Sequence, residues 1–152
     1  MRNRPGTRTG TATRILDVAE RLAETRGYNG FSYADVAVEV GVTKASLHYH
    51  FPSKAELGRT LLERYTRRFM SELEGIAALE ASSVHKLHQY VEIYSEALRE
   101  ERMCLCGIFT AEWATLPESM QAAIRRFFAL NETWLTALLE AGRAEGAFVF
   151  ES

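Results

Sequence analysis

A segment of twenty residues, 32–51 (SYADVAVEVGVTKASLHYHF), constrains the fold of this chain more than any other part of it. Ser32, followed three residues later by Asp35, is typical of a capping box at the start of a helix. Gly41 directly after an apolar position is typical of a helix end, and Thr43 is placed to cap a second helix. The spacing predicts two short helices joined by a glycine turn, which is a helix-turn-helix.

The second of these helices is predicted to face solvent with its polar side. Leu47 and Phe51 lie four residues apart and should point inward together. In a helix-turn-helix the second helix enters the major groove, while neighbouring polar groups bind phosphates. This interpretation is favoured over an ordinary surface pair of helices by the joint spacing of caps, glycine, leucine and aromatic cluster. The candidate DNA-binding residues are Ser32, Tyr33, Thr43, Lys44, Ala45, Ser46, His48, Tyr49, His50 and Lys54.

The rest of the chain also reads as helical, so the predicted fold class is all-α. Residues 1–12 contain three arginines and no acid, which indicates a flexible basic arm that reaches a minor groove or is simply a disordered terminus. Residues 13–58 are predicted to form a three-helix head, and residues 59–152 a C-terminal helical domain for ligand binding and dimerisation, here called the body. Helices are expected over residues 13–26, 53–78, 83–101, 103–115 and 117–145.

Charge is divided unevenly along the chain. Residues 1–54 hold 8 basic and 5 acidic residues, whereas residues 55–152 hold 10 and 15. A basic head on an acidic body would turn the head toward a polyanion. No apolar run is long enough to span a membrane, and the N-terminus lacks the apolar region of a signal peptide. A cytoplasmic protein without membrane contact is therefore expected.

Aromatic residues recur on the inward sides of the body helices. Ligand sites in helical bundles are mostly apolar with a few polar groups that fix orientation, although buried aromatic residues usually only pack. The candidate ligand-binding residues are His88, Tyr90, Tyr94, Phe109, Glu112, Trp113, Phe127 and Trp134. Plain core packing is the alternative for each of them.

Cys104 and Cys106 are the only cysteines. On one helix they would lie about 200° apart, so they are expected to face different ways. Buried free cysteine acting as a small hydrophobe is the simpler interpretation. The alternative is a sensor of oxidants or electrophiles, which requires a lowered thiol pKa.

No pattern indicates a metal, a cofactor or an enzyme. His85, His88 and Glu92 share one side of a helix, but such spacing is more often a solvated flank than a metal site. The chain has no nucleophile elbow, phosphate-binding glycine loop or zinc-protease helix. A helical interaction protein that does not bind DNA is the remaining alternative class.

The helix-turn-helix and its flanks resemble TetR-type transcriptional regulators. The resemblance covers about residues 10–65, and two departures are His48, where the family often has Tyr, and His50, where Tyr or His is usual. The residues that carry it are 43–57 (TKASLHYHFPSKAEL), 35–37, 41–42, Ile15, Ala19, Ala23, Gly27 and Tyr28.

This resemblance implies a homodimeric repressor that binds a double-stranded DNA operator and is released by a small organic effector in the body. Members of the family usually continue past the point matched by residues 140–148 with two more helices that form the dimer interface. The present chain ends at Ser152. We therefore expect either a truncated sequence or a dimer formed through another surface, such as the helix over residues 117–145.

Overall fold

The computed structural model describes residues 6–151, with side chains described from residue 10 onward. Within these residues the fold is all-α, as predicted. The helices are α1 (Gly6–Arg26), α2 (Tyr33–Val40), α3 (Lys44–His50), α4 (Lys54–Ala77), α5 (Ser83–Arg99), α6 (Leu105–Thr110) and α7 (Glu118–Ala144), with a 3-10 turn at Trp113–Thr115.

The first three helices form the head around a shared apolar core. Ile15 and Ala19 of α1, Val36 of α2 and Leu47 of α3 are fully buried together. Arg14 of α1 donates a hydrogen bond of 2.6 Å to the carbonyl oxygen of Val40, at the end of α2. The core and this bond hold the helix-turn-helix against α1.

Helix α4 runs from the head into the body, where α7 packs along it. Its 24 residues bury a continuous stripe that includes Leu57, Leu61 and Leu73. Farther into the body, the rings of Phe69 and Phe127 meet edge to face with centroids 5.1 Å apart. Such aromatic pairs add to the apolar burial that joins the two helices.

Two sequence predictions about helix limits are wrong. α1 begins at Gly6, so residues 6–12 are helical rather than a flexible arm, and residues 1–5 lie outside the described part of the chain. The helix predicted over 103–115 is divided into α6 and the 3-10 turn. The break leaves Glu112 non-helical at φ −103°, ψ 14°, with its carboxylate directed to the head.

Two cavities lie between helices in the described region. A groove of about 1060 Å³ between α4 and α7 is lined by residues such as Arg67, Met70 and Ala123. A cavity of about 310 Å³ lies between α1, α4 and α5. None of the helices in residues 6–151 has the length and low polarity needed to cross a bilayer.

Candidate nucleic-acid interface

Helix α3 has the orientation that its sequence predicts. The side chain of Thr43 caps it by accepting a 3.1 Å hydrogen bond from the backbone amide of Ser46. Leu47 is fully buried and Phe51 is 7% exposed. The opposite side shows Lys44, Ala45, His48 and Tyr49 to solvent, with Ser46 and His50 partly exposed at its margins. The helix therefore offers a polar and aromatic surface on a fixed apolar base.

The start and end of α2 also follow the sequence signals. Ser32 and Asp35 form the predicted capping box, in which the Asp35 carboxylate accepts from the Ser32 amide at 2.8 Å. Hydrogen bonds from the Ser32 amide and hydroxyl lower the pKa of the Asp35 carboxyl. Gly41 ends the helix in the left-handed region at φ 75°, which glycine adopts without steric cost.

Tyr33 is held inside the head instead of being free to bind a phosphate. Its hydroxyl donates to the carbonyl oxygen of Phe51 at 2.7 Å, and burial raises its pKa to about 12. The ring of His48 lies 4.7 Å from the Tyr33 ring, centroid to centroid, while His48 Nδ1 lies 3.3 Å from the carbonyl oxygen of Pro52. Tyr33 thus supports His48 at the surface.

The structure contradicts the prediction that Lys54 reaches outward to a phosphate. Its ammonium donates to the carbonyl oxygens of Tyr28, at 2.5 Å, and Phe31. It also lies over both aromatic rings, 4.6 and 4.4 Å from their centroids. Burial lowers the pKa of Lys54, and the charges of Glu112 and Asp35 oppose that shift. Lys54 is therefore bound to the turn between α1 and α2.

Glu112, predicted to bind a ligand, is bound to the same turn. Its Oε2 accepts from the amide of Tyr28 at 2.6 Å, and its Oε1 accepts from the amide of Asn29 at 3.0 Å. The side chain of Asn29 donates to Thr115 Oγ1 at 2.7 Å. These partners lie more than 80 residues earlier in the chain, so local spacing could not predict that the Glu112 side chain binds this turn.

The other ligand candidates do not surround one site. Phe109 and Phe127 are fully buried core residues, Trp113 lies beneath the Arg125 guanidinium at 4.8 Å, and His88 is exposed. None of the eight candidates lines either cavity described above. The alternative of plain core packing accounts for the buried aromatic residues.

Tyr90 and Tyr94 belong to a closed polar network that sequence analysis missed. Asn131, 8% exposed, accepts from the Tyr90 hydroxyl at 3.0 Å and donates to the Tyr94 oxygen at 3.1 Å. The Tyr90 ring also stacks on Trp134 with centroids 5.6 Å apart. The sequence did contain a signal for this network: Asn131 is a polar residue at an inward position of α7, and buried polar groups need hydrogen-bond partners.

The smaller cavity combines charge with an aromatic wall. Five carboxylates and two guanidiniums line it, together with Tyr65, Phe69, Ile93 and Ala97; the charged residues are Glu20, Glu24, Arg68, Glu72, Glu96, Glu100 and Arg102. The Glu24 side chain is only 7% exposed, and its cationic partner Arg102 lies 3.8 Å away. Burial and the nearby Glu20 raise the pKa of Glu24.

The sequence prediction assumed that both cysteines lie on one helix, but only Cys106 lies within α6. Cys104 precedes the first residue of α6 with φ −53° and ψ 121°, so the helical geometry assumed for both does not apply. Hydrogen bonds, first from the Cys106 side chain and also from Tyr65 and the Gly107 amide, lower the pKa of Cys104 to about 6. The hydrogen bond with Cys104, with burial, raises the pKa of Cys106.

A capped helix-turn-helix with a solvent-facing second helix defines a helix-turn-helix DNA-binding protein. The family model described as "Bacterial regulatory proteins, tetR family" matches residues 15–59. A TetR-family transcriptional regulator from Agrobacterium tumefaciens has a similar structure, with a TM-score of 0.92 and 31% identity over 95% of this chain and 77% of that one.

Further relatives support the same assignment. A TetR transcriptional regulator from Legionella pneumophila is 37% identical, with a TM-score of 0.79, over 84% of this chain and 70% of its own. The HTH-type transcriptional repressor KstR2 from Rhodococcus jostii is 26% identical over 93% of this chain and 69% of its own length. The chain belongs to the TetR family of bacterial transcriptional regulators, which bind DNA.

Proposed function

We propose that this regulator is a cytoplasmic repressor that binds its operator through α3 and acts by binding, not by catalysis. The observation that carries the proposal is the exposed surface of α3, where Tyr49 is 62% exposed while Leu47 is fully buried beneath it. Thr43, Ala45 and Ser46 lie at the N-terminal part of α3, which in this motif meets base edges.

The phosphate contacts are assigned to Lys44, His48 and Tyr49. All three are exposed on the same short helix, and phosphate contacts fix the register of a protein on the duplex without reading sequence. Ser32 and His50 lie at the edges of this surface. Tyr33 and Lys54 act from behind it, by supporting His48 and the turn between α1 and α2.

The test measures binding to a duplex that the protein selects from a random-sequence pool. Lys44→Ala should weaken binding about fivefold near 0.1 M salt and reduce the salt slope by about 1, because one phosphate contact is lost. Tyr49→Ala should weaken binding to all duplexes alike. Arg67→Ala, which removes an exposed cation from the body part of α4, is the control and should change neither value. Unchanged affinity in both α3 variants would refute the interface.

We propose that the effector is a small organic cation bound in the cavity of about 310 Å³. The five carboxylates outnumber the two guanidiniums there, and aromatic faces such as that of Tyr65 attract cations. The cavity is lined by α1 of the head and by α4 and α5. A ligand that fills it would therefore contact both domains and could change their relative position.

Spermidine and choline are suitable probes of this cavity. Binding should raise the midpoint of thermal unfolding and weaken binding to the selected duplex. Glu24→Gln should abolish both effects, whereas Glu132→Gln, a change at an exposed position of α7, should leave them intact. If neither amine changes unfolding or DNA affinity at millimolar concentration, the cation proposal fails.

We further propose that the protein acts as a homodimer that uses the outer side of α7. Phe128 of this helix is 43% exposed, and a helix-turn-helix dimer binds two half-sites about one turn apart. Sedimentation should give twice the mass of one chain, and Phe128→Asp should shift the equilibrium to monomer. A monomer at the concentrations where DNA binds would contradict this assignment.

We propose that the boundary between the head and the body lies within α4, near Gly58.

A second candidate signal that would regulate DNA binding is oxidation or alkylation of Cys104. The thiol pKa of about 6 makes it a thiolate at neutral pH. The rate of its alkylation by iodoacetamide should rise with pH through a midpoint near pH 6 to a plateau above about pH 7, and Cys104→Ser should remove this reaction. If alkylation of Cys104 leaves DNA affinity unchanged, the thiol is not a regulatory site.

A further inference from the structure

The turn between α1 and α2 is bound from two sides by opposite charges. Lys54, at the start of α4, holds the carbonyl oxygens of Tyr28 and Phe31. Glu112, from the body segment after α6, holds the amides of Tyr28 and Asn29. One side chain therefore comes from the helix that follows the helix-turn-helix, and the other comes from the body.

The turn is shaped to admit the Glu112 carboxylate. Gly27 has φ 75°, and a Cβ on it would lie 2.7 Å from Glu112 Oε2. The Tyr28 ring packs edge to face on Phe109 of α6 at 5.9 Å. The contact thus combines two charge-assisted hydrogen bonds with an apolar support from the same segment of the body.

We propose that Glu112 is a positioning residue for DNA binding, through which the body fixes the orientation of the head. The two hydrogen bonds, of 2.6 and 3.0 Å, are directional, and a displacement of about 1 Å would take them beyond bonding distance. A movement of α6 or of the 3-10 turn therefore changes the constraint on α1 and α2. The proposal rests on the α3–DNA contact proposed above.

The test combines hydrogen exchange with DNA binding at 10 °C. In Glu112→Ala, exchange at the amides of Tyr28 and Asn29 should rise about tenfold. Affinity for the selected duplex should fall about tenfold, as expected if part of the energy of the two lost charge-assisted hydrogen bonds is transmitted to DNA binding. The salt slope should stay constant, because no phosphate contact is removed. Glu112→Gln, which keeps one accepting oxygen, should recover part of both losses.

Two variants separate positioning from general stability. Thr115→Val removes the bond from the Asn29 side chain and the bond from the Thr115 hydroxyl to the Glu112 carbonyl oxygen. It keeps both bonds of the Glu112 carboxylate, so it should change affinity less than threefold. Glu132→Gln changes an exposed carboxylate of α7 and should change nothing. If Glu112→Ala does not fold, Glu112→Gln provides the same comparison, with an expected change of about threefold.

The opposing outcomes are distinct. Faster exchange with unchanged affinity would show that Glu112 only caps the turn, and would overturn the proposal. Unchanged exchange would overturn the contact itself. A parent protein that selects no duplex would refute the α3 contact, whereas a parent that binds normally beside an unaffected Glu112→Ala variant would refute only the role of Glu112.

Discussion

Replacing Lys54 by methionine distinguishes its structural position from the phosphate contact that its sequence position suggests. Methionine keeps an unbranched apolar stem between the rings of Tyr28 and Phe31 but removes the ammonium group. Two carbonyl oxygens of the turn then lose their donor. We expect Lys54→Met to lower the free energy of unfolding while the number of DNA phosphate contacts stays the same.

The size of the loss follows from the contacts. Each hydrogen bond from a charged group contributes about 1.5–3 kcal/mol, and a partly exposed cation–π contact about 0.5–1 kcal/mol. The cost of removing the ammonium from water offsets a large part of this gain, as the lowered pKa of Lys54 shows. A net loss of about 2 kcal/mol remains.

Urea unfolding and salt-dependent DNA binding together provide the assay. With a slope of about 2 kcal/mol per M, a loss of about 2 kcal/mol lowers the urea midpoint by about 1 M. The salt slope for duplex binding should match that of the parent protein. A variant with parental stability and a slope reduced by about 1 would show that Lys54 binds a phosphate, and would refute the reasoning.

Other substitutions test further parts of the fold. Gly30→Ala should lower the free energy of unfolding, measured in urea, by at least about 2 kcal/mol, because a Cβ there overlaps the Arg26 carbonyl oxygen. Gly75→Ala should raise it by about 0.5–1 kcal/mol, because the space around its Cβ is open. Asn131→Leu should lower the free energy of unfolding by about 2 kcal/mol, because it removes two hydrogen bonds. In a protein where Tyr90 and Tyr94 are both replaced by phenylalanine, the same change should be nearly neutral. The contribution of Tyr33 to stability should be constant below pH 10 and fall between pH 10 and 12, because the folded state keeps the Tyr33 proton that the unfolded chain releases. Tyr33→Phe should reduce the alkaline fall in stability, and an unchanged alkaline profile in this variant would contradict the assignment.

The parts of the fold predicted from sequence are those fixed by neighbours a few residues apart. The capping box of Ser32 and Asp35, the Thr43 cap and the left-handed Gly41 all depend on partners within four or five positions. The inward positions of α3 follow from the helical repeat. The sequence therefore predicts the two short helices, their limits and the exposed side of α3.

The parts that were missed depend on distant segments. Lys54 binds carbonyl oxygens 23 and 26 residues earlier, and Glu112 binds amides 83 and 84 residues earlier. Neither partner is encoded by local spacing, so both side chains were assigned to external ligands. The body aromatics were predicted to point inward. Sequence alone left open whether they pack as core or line a ligand pocket, because packing density is a property of the whole bundle.

Helix α4 has a geometric consequence for regulation. It extends without interruption over 24 residues from the end of the helix-turn-helix, which corresponds to about 36 Å. A rod of that length, pivoted at its far end and tilted by about 10°, carries its near end through about 6 Å. In the homodimer proposed above, whose two copies of α3 would bind half-sites about 34 Å apart, such a displacement would move the second α3 out of register with its groove.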